Sequence, residues 1–182
     1  MAEFNRQQRI KRRFFAMRNG VVADTLRRGG SPFRIIFGLN LPQLADIASE
    51  TGHDMELADE LWANTSTRES MLLAPMLIDP ADVDIDRGVD MICASPSAEV
   101  TDVLCHKLLR HCLGAMEMAR RAQASQSELA SYGAVRLALN VLRQWPAEAC
   151  ALADGILADV TSGQAARRVA LQLKDEADFL GL

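Results

Sequence analysis

The chain has 182 residues, 49% apolar and 24% charged, a composition that excludes disordered, collagen-like and coiled-coil classes and suits one folded domain. No apolar run approaches the ~20 residues of a bilayer span and the first residues lack an apolar signal core, so the expectation is a soluble, cytoplasmic protein with no membrane partner. The net charge of −4 conceals an asymmetry: residues 1–34 hold nine basic and two acidic side chains, residues 35–182 eleven basic and twenty-two acidic ones.

In chain order, residues 1–34 read as a basic arm or first helix packed on the same domain, with Phe4, Ile10, Phe14, Met17 and Val21 on one helical face. Its charge suits either phosphate or the acidic body that follows. Pro42 marks the first turn of a helix near 42–51, and another follows at 54–64. Residues 66–78 (STRESMLLAPMLI) have helical apolar spacing, a capping box at Ser66-x-x-Glu69, and Pro75, which is expected to kink the helix. Pro80 and Pro96 are placed in the first turns of helices at 80–94 and 96–113, and a short helix follows at 114–124. A second capping box, Ser125-x-x-Glu128, opens 125–143; Pro146 opens 146–160, and 162–180 is the last periodic segment. No strand alternation accompanies them, so the fold is expected to be all-α.

One polar residue in each of the four strongest helices, Arg68, Asp102, Arg136 and Arg168, recurs at separations of 34, 34 and 32 residues. Each interval holds one helical hairpin. The expectation is therefore an α-α superhelix, a HEAT-like solenoid of about four to five hairpins over residues 35–182, with one helix of each hairpin lining a concave surface.

Tyr132, Arg136, Asn140 and Arg143 form a polar row opposite Val135, Leu139 and Leu142; Asp102, His106 and Arg110 form another, and Arg168 with Gln172 a third. As solvated faces their i,i+4 pairs would contribute only ~0.2–0.5 kcal/mol each. Set side by side, they would instead line a groove. Cys93, Cys105, Cys112 and Cys150 show no CxxC and read as reduced thiols. Cys105 and Cys112 share a helix face from which His106 and His111 diverge, so no metal is expected, and no cofactor motif is present. Trp62 and Trp145 read as core or hairpin-packing residues.

Residues 37–49, FGLNLPQLADIAS, with their hydrophobic-Gly-x-x-x-Pro pattern, resemble the opening segment of the DNA alkylation repair family, the AlkD-like HEAT-repeat glycosylases. Residues 58–78, ADELWANTSTRESMLLAPMLI, resemble that family's next hairpin, and the resemblance extends over roughly residues 33–175. It implies a cleft for duplex DNA and excision of cationic alkylpurines. Asp102 would stabilise the sugar cation that develops as the base departs, with Asp90 of Val89-Asp90 as the reserve carboxylate. Arg136 would hold a phosphate, while Arg68, Arg143 and Arg168 add positive field and Tyr132 is the one aromatic on the groove. The sequence departs from the family where cleft tryptophans are expected, with Ala98 at one position and Ala170 or Leu171 at the other. That departure and the acidic body equally suit a catalytically degenerate scaffold whose partner is another protein.

Overall fold

The computed structural model describes residues 6–125 and 127–182; Phe4, assigned above to the first helix, lies outside them. Among the described residues, eleven α-helices and short 3-10 turns make up the regular structure, and one isolated parallel bridge, Ile35 to Thr67, is the only β contact. The chain divides into two compact units, Met1–Asp79 and Pro80–Leu182.

The first unit contains α1 (Arg6–Ala16), α2 (Gly20–Arg28), α3 (Leu41–Thr51), α4 (Met55–Ala63) and α5 (Arg68–Leu73). Pro42 sits in the first turn of α3, where its missing N–H costs nothing, and Asn40 with Gln43 forms a reciprocal capping box. Ile10 and Phe14 turn the apolar face of α1 inward, and the Phe14 ring meets Phe37 at 5.7 Å between centroids. Pro75 does not kink a longer helix: α5 ends at Leu73 and the chain tightens into a 3-10 turn over Ala74–Leu77, which accommodates the absent donor.

The capping box expected at Ser66 is replaced by a nonlocal arrangement. Thr67 is the N-cap of α5 and makes no side-chain cap. Glu69 is fully buried and accepts hydrogen bonds from the backbone N–H groups of Phe37 (3.0 Å), Gly38 (2.9 Å) and Leu39 (3.3 Å). Arg68, buried beside it, donates to Glu69 at 2.9 Å and to the Leu39 carbonyl at 3.0 Å. The Ile35 bridge carries the 35–39 loop across the start of α5, and three converging donors hold a carboxylate better than one cap amide. Gly38 is required here. Its φ is +81°, and a Cβ would lie 2.2 Å from the Asn19 carbonyl oxygen.

The second unit contains α6 (Ile85–Ala94), α7 (Ala98–Lys107), α8 (Ala115–Gln123), α9 (Glu128–Asn140), α10 (Pro146–Ala158) and α11 (Gln164–Leu180). Pro146 opens α10 as its position predicts. Pro80 opens a separate 3-10 turn, Pro80–Asp82, and Pro96 lies just before α7, because Asp84 and Ser97 cap α6 and α7 with side-chain hydrogen bonds that define later starts. The start of α9 is likewise at Ser127 rather than Ser125. Helices two apart pack together, α6 on α8, α8 on α10, α7 on α9 and α9 on α11, while α8–α9 and α10–α11 pair as hairpins. Within this unit two layers of helices therefore stack in the manner of hairpin repeats.

Helix α9 is the centre of the unit; of the polar row expected along it Tyr132 is buried, Arg136 and Asn140 are half-buried, and Arg143 just past its end is exposed. Ala130, Gly133, Ala134 and Ala138 let neighbouring helices approach closely, and a Cβ on Gly133 would lie 2.5 Å from Ile92 Cγ2. Trp145, expected as a packing residue, is instead 47% exposed before α10.

Candidate nucleic-acid interface

Asp102 on α7 and Tyr132 and Arg136 on α9 meet in one cluster. Four residues separate Tyr132 from Arg136, so both leave α9 on one side, and the α7–α9 contact brings Asp102 to them. The Tyr132 hydroxyl donates to Asp102 Oδ1 at 2.7 Å and accepts from Arg136 Nη2 at 3.0 Å. Arg136 Nε lies 2.8 Å from the same Oδ1 as an ion pair. Arg136 Nη1 has no protein acceptor among the described residues. The cluster reaches the surface through Asp102, 43% exposed, and Arg136, 24% exposed. The Tyr132 ring is buried at 6%, so only its hydroxyl takes part and it offers no open aromatic platform.

The electrostatics follow from this packing. Burial raises the Tyr132 phenol above its ordinary value, opposed by the Arg136 hydrogen bond and reinforced by Asp102. Burial alone would lower Arg136, but the Tyr132 hydrogen bond and the Asp102 charge outweigh it and hold the guanidinium above its usual range. Cys105 lies beneath, fully buried, its thiol pushed upward by desolvation; it donates to the Gly133 carbonyl at 3.6 Å. Burial and the cations Arg110 and Lys107 push His106 down, and Arg110 Nη1 donates to its Nδ1 at 3.2 Å.

One turn beyond Arg136, Asn140 lines a cavity of about 330 Å³ with Arg110, Arg143, Gln172 and Glu176. Arg143 is exposed and makes no hydrogen bond or ion pair among the described residues; the same holds for Arg168 on α11. Asp90 is exposed on α6 and takes no part in the Asp102 cluster. Arg68 is not a surface cation: it is buried inside the first unit on Glu69 and Leu39. The periodic rows in the sequence mark Asn140 and Gln172, and Glu176, one turn after Gln172, carries the same signal. At the family's tryptophan positions, Ala98 is exposed, Ala170 buried and Leu171 exposed. Among the described residues, no group of three or more His, Cys, Asp or Glu is placed to hold a metal, and no helix is long and apolar enough to cross a membrane.

No family model and no curated protein matches the sequence. Among solved structures, the chain matches a protein described as one of a new family related to the HEAT-like repeat DNA glycosylases with affinity for branched DNA structures. The TM-score is 0.77 at 16% identity, over 93% of this chain and 74% of that one. The likeness shows that the chain has a HEAT-like repeat fold, all-α as the periodicity predicts.

Proposed function

From this HEAT-like repeat fold, we propose that the protein binds DNA through its phosphate backbone and does not excise alkylated bases, with Arg136, Arg143 and Arg168 as phosphate contacts. The observation that carries this reading is the posture of Arg136: Nη2 donates to Tyr132, Nε faces Asp102 as an ion pair without a hydrogen bond, and Nη1 is left for an external acceptor. Arg143 and Arg168 add cations without acidic partners among the described residues. The affinity for branched DNA described for the structural relative supports the same partner.

Base excision asks for something different. A carboxylate that stabilises a sugar cation must present uncompensated negative charge, whereas Asp102 sits 2.8 Å from a guanidinium that neutralises much of it. Aromatic walls that would hold a cationic base by about 0.5–2 kcal/mol each are absent, since Ala98, Ala170 and Leu171 stand at their positions and the Tyr132 ring is buried. Asp102 is thus a positioning residue for Arg136.

The test is an electrophoretic mobility assay on duplex and four-way-junction DNA, run beside an assay for release of 3-methyladenine and 7-methylguanine from methylated DNA. The reading expects binding, weakened by Arg136→Ala, and no release. Absence of binding at low salt would favour the protein scaffold. Release that Asp102→Asn abolishes would restore the glycosylase role, and release that only Asp90→Asn abolishes would transfer it to the reserve carboxylate.

A further inference from the structure

The basic N-terminal segment divides its cations between two edges of α1. Along one edge, Arg6 pairs with Asp54 at 2.6 Å and Glu56 at 3.1 Å, and Arg13 with Glu50 at 3.1 Å, so these charges are consumed inside the first unit. At 3.6 residues per turn, Lys11 and Phe15 fall on the other edge of the buried Ile10–Phe14 stripe. There the arrangement changes character. Phe15 is 58% exposed, an unusual state for a phenylalanine, and Arg18 folds back so that its guanidinium lies 3.9 Å over the ring while donating to the Phe15 carbonyl at 3.1 Å. Lys11 makes no ion pair among the described residues. Lys11, Arg12, Phe15, Ala16 and Phe37 surround an open recess of about 490 Å³.

We propose that this edge is a binding site for unpaired nucleotides of DNA. Phe15 with its stacked Arg18 supplies a flat cationic platform for one base, and Lys11 and Arg18 supply the field that holds the neighbouring phosphates. A paired duplex cannot use the ring, because its base faces are covered by their neighbours; only an unstacked base can. An acidic protein surface would engage the cations and leave the aromatic unused. The site lies in the first unit, and its residues are not those assigned to phosphate contact in the second. It rests on the DNA-binding reading and extends it to the single-stranded segments of a branched structure.

The test is fluorescence anisotropy of the full chain with labelled short oligothymidine, a blunt duplex, and the same duplex bearing a single-stranded flap. Phe15→Ala is expected to weaken oligothymidine and flap binding by about 5- to 100-fold, and Phe15→Trp to retain it. Blunt-duplex binding should stay unchanged in Phe15→Ala and fall instead in the Arg143→Ala, Arg168→Ala double variant. Because Phe15 is exposed, circular dichroism should show the variants folded. Equal oligothymidine binding by wild type and Phe15→Ala, with duplex binding intact, would overturn this inference alone. No binding of any DNA by wild type would overturn the reading beneath it. Binding to anionic vesicles that Phe15→Ala abolishes, without oligothymidine binding, would also overturn it by assigning the edge to a lipid surface.

Discussion

Replacement of Glu69 by Ala is expected to be the most damaging single polar substitution in the first unit. The carboxylate accepts from three backbone N–H groups and from Arg68, all within 3.3 Å and out of contact with water. Its removal deletes one partner of a buried ion pair, a change that costs about 3–5 kcal/mol. Three amides also lose their acceptor, each at about 1–3 kcal/mol if no water replaces it, so the pair figure is a lower bound. Against a total stability of about 5–15 kcal/mol, the variant should be largely unfolded or shifted to a much lower urea midpoint. Glu69→Gln keeps an acceptor oxygen and should fall between the two. Native-state hydrogen exchange locates the effect: protection should be lost first at Phe37, Gly38 and Leu39. A Glu69→Ala protein whose midpoint lies within about 1 kcal/mol of wild type, with those amides still protected, would refute the argument.

Gly133→Ala should destabilise by about 1–3 kcal/mol in thermal or urea unfolding, since the added carbon would meet Ile92 Cγ2 at 2.5 Å in the packed centre of the second unit. Asp54 is held below its ordinary value by the Arg6 hydrogen bond first and the Leu57 N–H second. Its contribution is therefore present above about pH 4 and lost as pH falls through the lowered value. Urea midpoints measured across that range should show a shallower acid limb for Asp54→Ala, which should also lose about 1 kcal/mol of capping at pH 7. Tyr132 is the single tyrosine in the chain, so ultraviolet phenolate absorbance reports on it alone. It should titrate above the usual value of about 10, and the stability it lends should fall as pH rises from there.

Local signals in the sequence locate several helix starts correctly. Pro42 and Pro146 occupy first turns because their effect depends only on their own missing N–H. Ser66-x-x-Glu69 misleads because Glu69 finds stronger donors thirty residues earlier in the chain, a contact that no window around residue 66 contains. The 34-residue spacing correctly brings Asp102 and Arg136 within an ion pair, since equivalent positions on α7 and α9 face each other when the hairpins stack. The same spacing marks Arg68, yet periodicity fixes a place in the repeat and not its surroundings, and Arg68 is enclosed. Tyr132 was legible as a neighbour of Arg136 but not as a buried one. The small residues Ala130, Gly133, Ala134 and Ala138 were the available sign that α9 is packed on several sides.

The most direct test of the account is the salt dependence of DNA binding by wild type and by the Arg136→Ala, Arg143→Ala, Arg168→Ala triple variant. Three phosphate contacts predict a logarithmic slope near −2.7 from these residues, a loss of roughly 40-fold between 50 and 200 mM salt, which the triple variant should no longer show. Identical slopes for the two proteins, or no binding by wild type at 50 mM salt, would contradict the placement of a DNA-backbone contact on these arginines.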